Sequence, residues 1–488
     1  MLERFLIVFV AIMVCIHPSY QRRQTFKCND YVTETTSYHR SGISFRMGPH
    51  YICYLSNVIQ VSSAIEIVDE IISHAFVDGN SAIIEPREVG AIVVKNSNFI
   101  VLPSQLFNKF RNLLVFRASD VNLRQISRED FRDTEHLTIL HLDRNQIFDL
   151  EDGILMYLKR LQRLDLSRNM ITAINEDTFS GCSSDLYEVD LSYNRITKLD
   201  YSTLIPLAHA KKLSVELNLN FNEIKEIHES HRVDHLTFEA LQLKNNLLES
   251  FTCPDIKIGE LHLENNRLQL LSFDNCSVEY LIVSQNHLNW LHIHGDLKGL
   301  VASHNKISSF VVSGADTEIY HFDLSENENI NHVFPSLKEM NEMQFLNLSH
   351  SFIGVLEPET FTNMRELKYL FLKDCGIEII PFEVFGNNKR MMTLDISDNL
   401  LETIDLHMFV GLDRLKILDI SGNKLNKIDG FERVRSILPE LSEIRIDGNR
   451  FECNDLRVIL KTFEGLGINV IMPNYSSHSK SVSGIECY

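Results

Sequence analysis

No run of lysine and arginine offsets the chain's formal charge of −19, the result of 66 acidic against 47 basic residues. Such a surface repels phosphate backbones, so no nucleic acid is expected as a partner. Catalytic signatures are missing as well: the sequence holds no GxSxG elbow, no HExxH, no phosphate-binding loop and no clustered CxxC. The expectation is a protein that is not an enzyme, with no catalytic residue, no cofactor and no metal site. His292 and His294 would share one face of an extended segment, yet no further ligand stands out beside them, and they read as surface histidines. Beyond the first residues no segment approaches the roughly 18 uninterrupted apolar residues of a membrane span. The closing SVSGIECY also lacks the hydrophobic tail of a lipid anchor. With 44% hydrophobic and 23% charged residues, the composition is not that of a disordered chain and can supply a continuous core.

What is present starts with a short apolar run at residues 5–16, followed by His17, Pro18, Ser19 and polar sequence. It reads as a signal peptide over 1–19, and the mature chain is then expected to be secreted and extracellular. Removing Cys15 with that segment leaves eight of nine cysteines, an even number suited to an oxidising compartment.

Aligned against itself, the chain repeats. LTILHLDRNQI (137–147), LQRLDLSRNMI (161–171), LYEVDLSYNRI (186–196) and LKILDISGNKL (415–425) all fit LxxLxLxxNxL, the leucine-rich-repeat consensus. The asparagine position recurs at Asn145, Asn169, Asn194, Asn222, Asn246, Asn266, Asn286, Asn305, Asn327, Asn399, Asn423 and Asn449, with Ser97, Val121, Ser351 and Cys375 in weaker registers. That makes about sixteen turns, mostly spaced by 24 residues but by 20, 20 and 19 between Asn246 and Asn305. The xLxLx core alternates with period two, so its leucines point inward and the residues between them face solvent. One turn cannot bury its leucines, whereas stacked turns can, which makes stability nearest-neighbour and requires caps at both ends. The expected fold is an α/β solenoid, a leucine-rich-repeat horseshoe with a parallel concave sheet and disulfide-capped ends. Its expected organisation is an N-terminal cap over 20–88, repeats over 89–452 and a C-terminal cap over 453–488. Ten residues past the ladder position stand Phe107, Phe131, Phe179, Phe361, Phe385 and Phe409, whose rings are expected to stack on the convex side. Turns of 19 to 20 residues lack room for a helical segment there, so a thinner convex side and a bend are expected over 246–305.

Cys28 and Cys53 precede the first clear repeat, while Cys453 and Cys487 follow the last, and these read as two cap disulfides. Cys182 and Cys375 read as buried thiols. Cys253 and Cys276 fall on convex segments of adjacent short turns, where they could bridge each other, stay free or link to a partner chain. Glycan acceptor sequons occur at Asn275, Asn347 and Asn474.

The sheet face can be read directly, because its exposed residues lie six and four places before each ladder position. Over the turns of Asn286 to Cys375, the first column reads Tyr280, Gly299, His321, Phe345, Tyr369; the second reads Ile282, Val301, Asp323, Asn347, Phe371. Tyr280, Ile282, Val301, His321, Phe345, Tyr369 and Phe371 therefore form a candidate binding patch, with rings packing on one another across the sheet as the alternative. Elsewhere the second column is polar, and its aspartates (Asp165, Asp190, Asp395, Asp419) read as serving solubility or local hydrogen bonding.

The Cys28/Cys53 front cap, the short turns LIVSQNHLNWL and LVASHNKISSF and the Cys453 end cap together resemble secreted insect leucine-rich-repeat proteins, particularly the mosquito leucine-rich immune proteins. The resemblance covers the whole mature chain. Long members of that family carry C-terminal coiled coils, dimerise and bind complement-like proteins in haemolymph during antimicrobial defence. Here no heptad run follows Cys453, so the likeness is to short, coil-less members. The resemblance implies an innate-immune recognition or scaffold protein in extracellular fluid, whose partner is a protein or a microbial-surface ligand. An extracellular adhesion, matrix or ligand-trapping protein is the alternative, and homo- or hetero-oligomerisation is left open.

Overall fold

The computed structural model describes residues 25–29, 51–56, 87, 89–102, 104–209, 214–273, 276–294, 297–313, 318–328, 330–337, 340–471 and 481–488. The segment read as a signal peptide, most of the N-terminal cap and the sequons at Asn275 and Asn474 lie outside these residues. The chain divides into two compact units, residues 1–217 and 218–488.

Each unit carries a ladder of short strands, one per turn, in which each turn's strand pairs in parallel with that of the next turn. In the first unit Tyr51–Ser56, Val89–Lys95, Val115–Arg117, Ile139–His141, Arg163–Asp165 and Glu188–Asp190 follow one another. In the second the ladder runs from Asp234–Gln242 through Asp255–His262, Ser277–Ile282, Gly299–Val301, His321–Asp323, Phe345–Asn347, Tyr369–Phe371, Thr393–Asp395 and Ile417–Asp419 to Glu443–Arg445. This is the leucine-rich-repeat solenoid. The alternation works as the sequence requires in most strands: the central residue is buried (Leu164, Val189, Leu346, Leu370, Leu394, Leu418) and its neighbours are wholly or partly open to solvent, whereas Ala91, Val115 and Ile139 in the first unit are buried against one another. Removing one such leucine from water contributes about 1.5–3 kcal/mol, an amount one turn cannot secure without its neighbours.

Just before the ladder position the backbone turns left-handed, with φ of 54° at Arg144, 55° at Arg168, 56° at Tyr193, 52° at Asp374 and 55° at Asp398. That kink takes the chain off the strand and leaves peptide groups pointing into the interior. The asparagine amides satisfy them. Asn399 donates to the carbonyls of Leu372 (2.7 Å) and Ile396 (3.1 Å) and accepts from the N–H groups of Cys375 and Ile377, both at 3.0 Å. Asn145, Asn169, Asn266, Asn305, Asn423 and Asn449 repeat the pattern, each bonding its own turn and the one before. Where asparagine is replaced, a smaller group does part of the work: Ser351 donates to Leu324 and accepts from the N–H of Asn327, and the Cys375 thiol donates to Leu348. Gly422 shows how tight the kink is, since a Cβ there would collide with the Asp398 carboxylate.

On the opposite side the six phenylalanines are fully buried. Phe361 and Phe385 stack at 5.9 Å, Phe385 and Phe409 at 6.1 Å, and Phe107 lies 6.1 Å from Phe131. The short turns replace this helical layer with extended chain. Ser250–Thr252 pairs in parallel with Leu270–Ser272, and Trp290–His294 with Ser309–Ser313, on the outer side of these turns.

Both ends are closed. Thr25–Asn29 runs antiparallel to Tyr51–Ser56 with Cys28 opposite Cys53 in the register, the arrangement a cap disulfide needs, though those side chains lie outside the described residues. At the other end the helix Cys453–Gly465 buries Leu456, Ile459, Leu460 and Phe463, and Cys453 is bonded to Cys487 with Cα atoms 4.9 Å apart. Asn469–Val470 then pairs along Glu443–Arg445, covering the last strand edge. Cys253 and Cys276 are bonded to each other, Cα atoms 5.7 Å apart, which closes the alternatives the sequence left open. Cys375 is buried, with its thiol pushed up to about 12 by burial; Cys182 is only partly buried, not fully as the sequence suggested, and burial raises its thiol to about 11.

Replacing Asn399 by the isosteric leucine removes the partner of five peptide groups, the carbonyls of Leu372, Ile396 and Ser397 and the N–H groups of Cys375 and Ile377. We expect a loss of about 3 kcal/mol or more in a urea denaturation series, against a change within about 0.5 kcal/mol for Asn426→Ala on the exposed surface. Equal, small effects would mean that the amide ladder is dispensable.

Candidate functional site on the sheet face

The two expected columns exist and lie within the second unit. Register pairs Tyr280 with Gly299, Gly299 with His321, His321 with Phe345 and Phe345 with Tyr369 in the first column. The second runs Ile282, Val301, Asp323, Asn347, Phe371 and on to Asp395.

These residues divide at Gly299. Beyond it, His321 and Phe345 stack with centroids 4.2 Å apart and planes 5° from parallel, and Phe345 also meets Phe371 at 5.5 Å and Tyr369 at 6.4 Å. The stacking distance is close to the inter-strand spacing of about 4.8 Å. His321 and Phe345 therefore stand on edge, each with a face turned to the other and an edge turned to solvent. Tyr369 remains 38% exposed at the end of the row. On the near side Tyr280 leans into the gap above Gly299, where an added Cβ would lie 2.8 Å from its ring, and its hydroxyl bonds that of Tyr320. Tyr320 belongs to neither column and could not be read from the strand period; it reaches Tyr280 because the intervening strand has no side chain at 299. Ile282 and Val301 are half-buried beside this pair.

The second column is held by its own chemistry. Asp323 Oδ1 accepts from the Ser325 N–H (2.9 Å) and hydroxyl, Asn347 Oδ1 from the Ser349 N–H (3.1 Å), and Asp395 and Asp419 Oδ1 from the N–H groups of Ser397 and Ser421. The aspartates thus fix the strand exit locally, as the sequence suggested, and Asn347 takes the same role with its Nδ2 donating to Asp323 at 3.2 Å. The Asn347 sequon therefore sits half-buried among the rings.

Titratable groups on the face differ in environment. Burial lowers the His321 imidazole against an opposing pull from Asp323. Glu264 and Glu260 hydrogen-bond His262 and raise it despite its burial. The raised group adds stability that is full below the usual imidazole pKa and fades as pH climbs through the folded value. In the first unit His141, Asp143 and Asp165 bring their donor atoms within 4.8 Å of one another, a grouping that strand spacing alone did not reveal. It could hold a metal, but its members already have internal partners: His141 faces Asp165 at 3.3 Å, and Asp143 pairs with Arg144 at 3.0 Å and with the Ser119 hydroxyl. His292 lies half-buried on the outer strand, its ring 5.5 Å from Trp290.

The geometry defines a leucine-rich-repeat protein with an aromatic cluster on its sheet face. Known proteins agree on that class. The leucine rich repeat family model matches residues 135–196, 374–425 and 389–451. The chain is similar to leucine-rich repeat-containing protein 3B of Danio rerio, 44% identical over 61 residues, which are 12% of this chain and 24% of that protein. Similarity to Tsukushi of Gallus gallus is 25% over 267 residues (54% and 67%), and to chaoptin of Drosophila melanogaster 30% over 162 residues (32% and 12%). The matched stretches thus span about a quarter or less of the first and third of these relatives. Among solved structures, the fold is similar to the LRIM1/APL1C complex (TM-score 0.51, 16% identity, 89% of this chain, 69% of that one) and to the APL1 leucine-rich repeat domain (0.50, 16%, 89% and 97%). No helix among the described residues is long and apolar enough to cross a membrane.

In an NMR titration, His321 should titrate below about 6.5, the usual imidazole value. The unfolded state then binds more protons in that window, so this group's contribution makes the fold more stable as pH rises through it. Phe345→Ala, which opens the ring to water, should bring the value back upward. A His321 that titrates normally in the intact protein contradicts the stacked, desolvated geometry.

Proposed function

We propose that the protein is a secreted, non-enzymatic binding protein that docks a protein or microbial-surface ligand on the sheet face of its second unit, in innate-immune recognition or as a scaffold in extracellular fluid. One observation carries this reading: four rings from three adjacent strands, His321, Phe345, Tyr369 and Phe371, meet in one cluster that is partly open to solvent. Core leucines are needed to stack the turns, but solvent-side rings are not, since Thr393 and Asp395 occupy the same columns one turn further on. Clustered aromatics on a rigid surface are the common anchors of protein contacts. The disulfides at Cys253–Cys276 and Cys453–Cys487 and the apolar N-terminal run support an extracellular setting. The immune assignment rests on the resemblance to the mosquito leucine-rich immune proteins and on the shared fold with the LRIM1/APL1C complex.

Full-length secreted protein used as bait in native extracellular fluid should capture a partner, and the double change Phe345→Ala with Phe371→Ala should cut capture at least about tenfold while leaving thermal stability within a few degrees. Undiminished capture by the double variant would place the interface elsewhere.

A further inference from the structure

We infer that the aromatic cluster receives an extended peptide segment in which large apolar side chains stand between two basic residues about four positions apart. This rests on the docking reading above and adds to it the chemistry of the partner. In the second column two aspartates bracket the cluster: Asp323 lies before Asn347 and Phe371, and Asp395 follows them. Three inter-strand steps of about 4.8 Å separate the two, roughly 14 Å, and an extended chain covers that span in about four residues. Neither carboxylate has a lysine, arginine or histidine within ion-pair distance among the described residues. Lys373 pairs with Asp398 at 3.0 Å while lying near enough to Asp395 to share its charge with it, and Arg445 faces Asp419 at 3.7 Å. His350 is held by Asp374 at 3.1 Å, and Glu326 adds a further exposed negative group beside Asp323. The face thus presents two carboxylates without a direct ion pair, one on each side of Asn347 and Phe371, on a chain whose formal charge is −19.

The rings themselves argue for peptide side chains over sugars. Flat sugar faces stack on open ring faces, but His321 and Phe345 each spend one face on the other, which leaves less ring face for a sugar. Aliphatic side chains need no such face. Asn347 lies one strand from Asp323 and two from Asp395, with Oδ1 engaged by Ser349 and Nδ2 by Asp323, leaving one Nδ2 proton for a backbone carbonyl of the bound segment. A glycan on Asn347 would occupy the same space.

The test uses the full chain carrying Ser349→Ala, which removes the sequon yet keeps the Asn347 amide. Two fluorescent peptide pools are compared by anisotropy, identical in Leu/Ile/Phe at the third position and differing only in Lys/Arg or Asp/Glu at the first and fifth. The basic pool should bind and weaken with rising salt, and Asp323→Asn with Asp395→Asn should weaken it at least about tenfold. Asparagine already accepts the same strand-exit bond at 347 and 218, so these variants keep the fold. Equal binding of the acidic pool, or full binding by the asparagine variant, overturns the inference. So does binding of soluble β-glucan in place of either pool. If the carboxylate changes leave partner capture intact while Phe345→Ala with Phe371→Ala abolishes it, the docking surface stands and only its charge preference falls; if the ring changes are also silent, both fall.

Discussion

Peptide groups that leave a strand toward a dry interior must find partners there, and every other feature of this protein follows from how that is met. The left-handed kink before each ladder residue points N–H and C=O groups inward, where an unpaired group costs about 1–3 kcal/mol. A single carboxamide offers two donors and an acceptor at the right reach, so Asn399 holds the turn of Cys375 as well as its own. Because each amide bonds the turn before it, register passes from turn to turn and fixes which residues share a column. The aromatic cluster is a consequence of that register: shifting one strand by a residue would send Phe345 inward and Leu346 out.

The ladder was legible in the sequence because its chemistry tolerates few substitutes, and twelve asparagines at repeating intervals mark it. The buried phenylalanines ten residues on were legible for the same reason, a fixed place in a fixed turn. Column membership on the sheet face followed from strand period alone, which is why these seven residues share the two columns. What the sequence hid depends on side-chain conformation across turns. The leaning of Tyr280 over Gly299 toward Tyr320 is a contact between residues forty apart, produced by a missing side chain between them. The gathering of His141, Asp143 and Asp165 needs rotamers as well as register. The extended outer strands around Trp290 were legible only as a shortage of room, since turn length says a helix does not fit without saying what replaces it.

The division of labour between the two faces has a functional consequence. The inner layer is filled by leucines and closed by asparagine, and the second column is pinned by aspartate, asparagine and serine at the strand exits, so internal hydrogen bonds hold the backbone under the face. A rigid surface loses little conformational entropy on binding, which lets a few anchors dominate affinity. On the docking reading proposed above, the rings would supply the apolar anchors and the two bracketing carboxylates the orientation.

The central claim is that asparagine amides clamp each turn to the one before. Amide hydrogen exchange across the whole chain reads this directly. The account predicts the slowest exchange at the N–H groups accepted by ladder asparagines, among them Ile147, Leu248, Leu268, Ile377, Leu401 and Leu425, recurring with the repeat. Fast exchange at those amides, with protection concentrated in the outer segments instead, would contradict it.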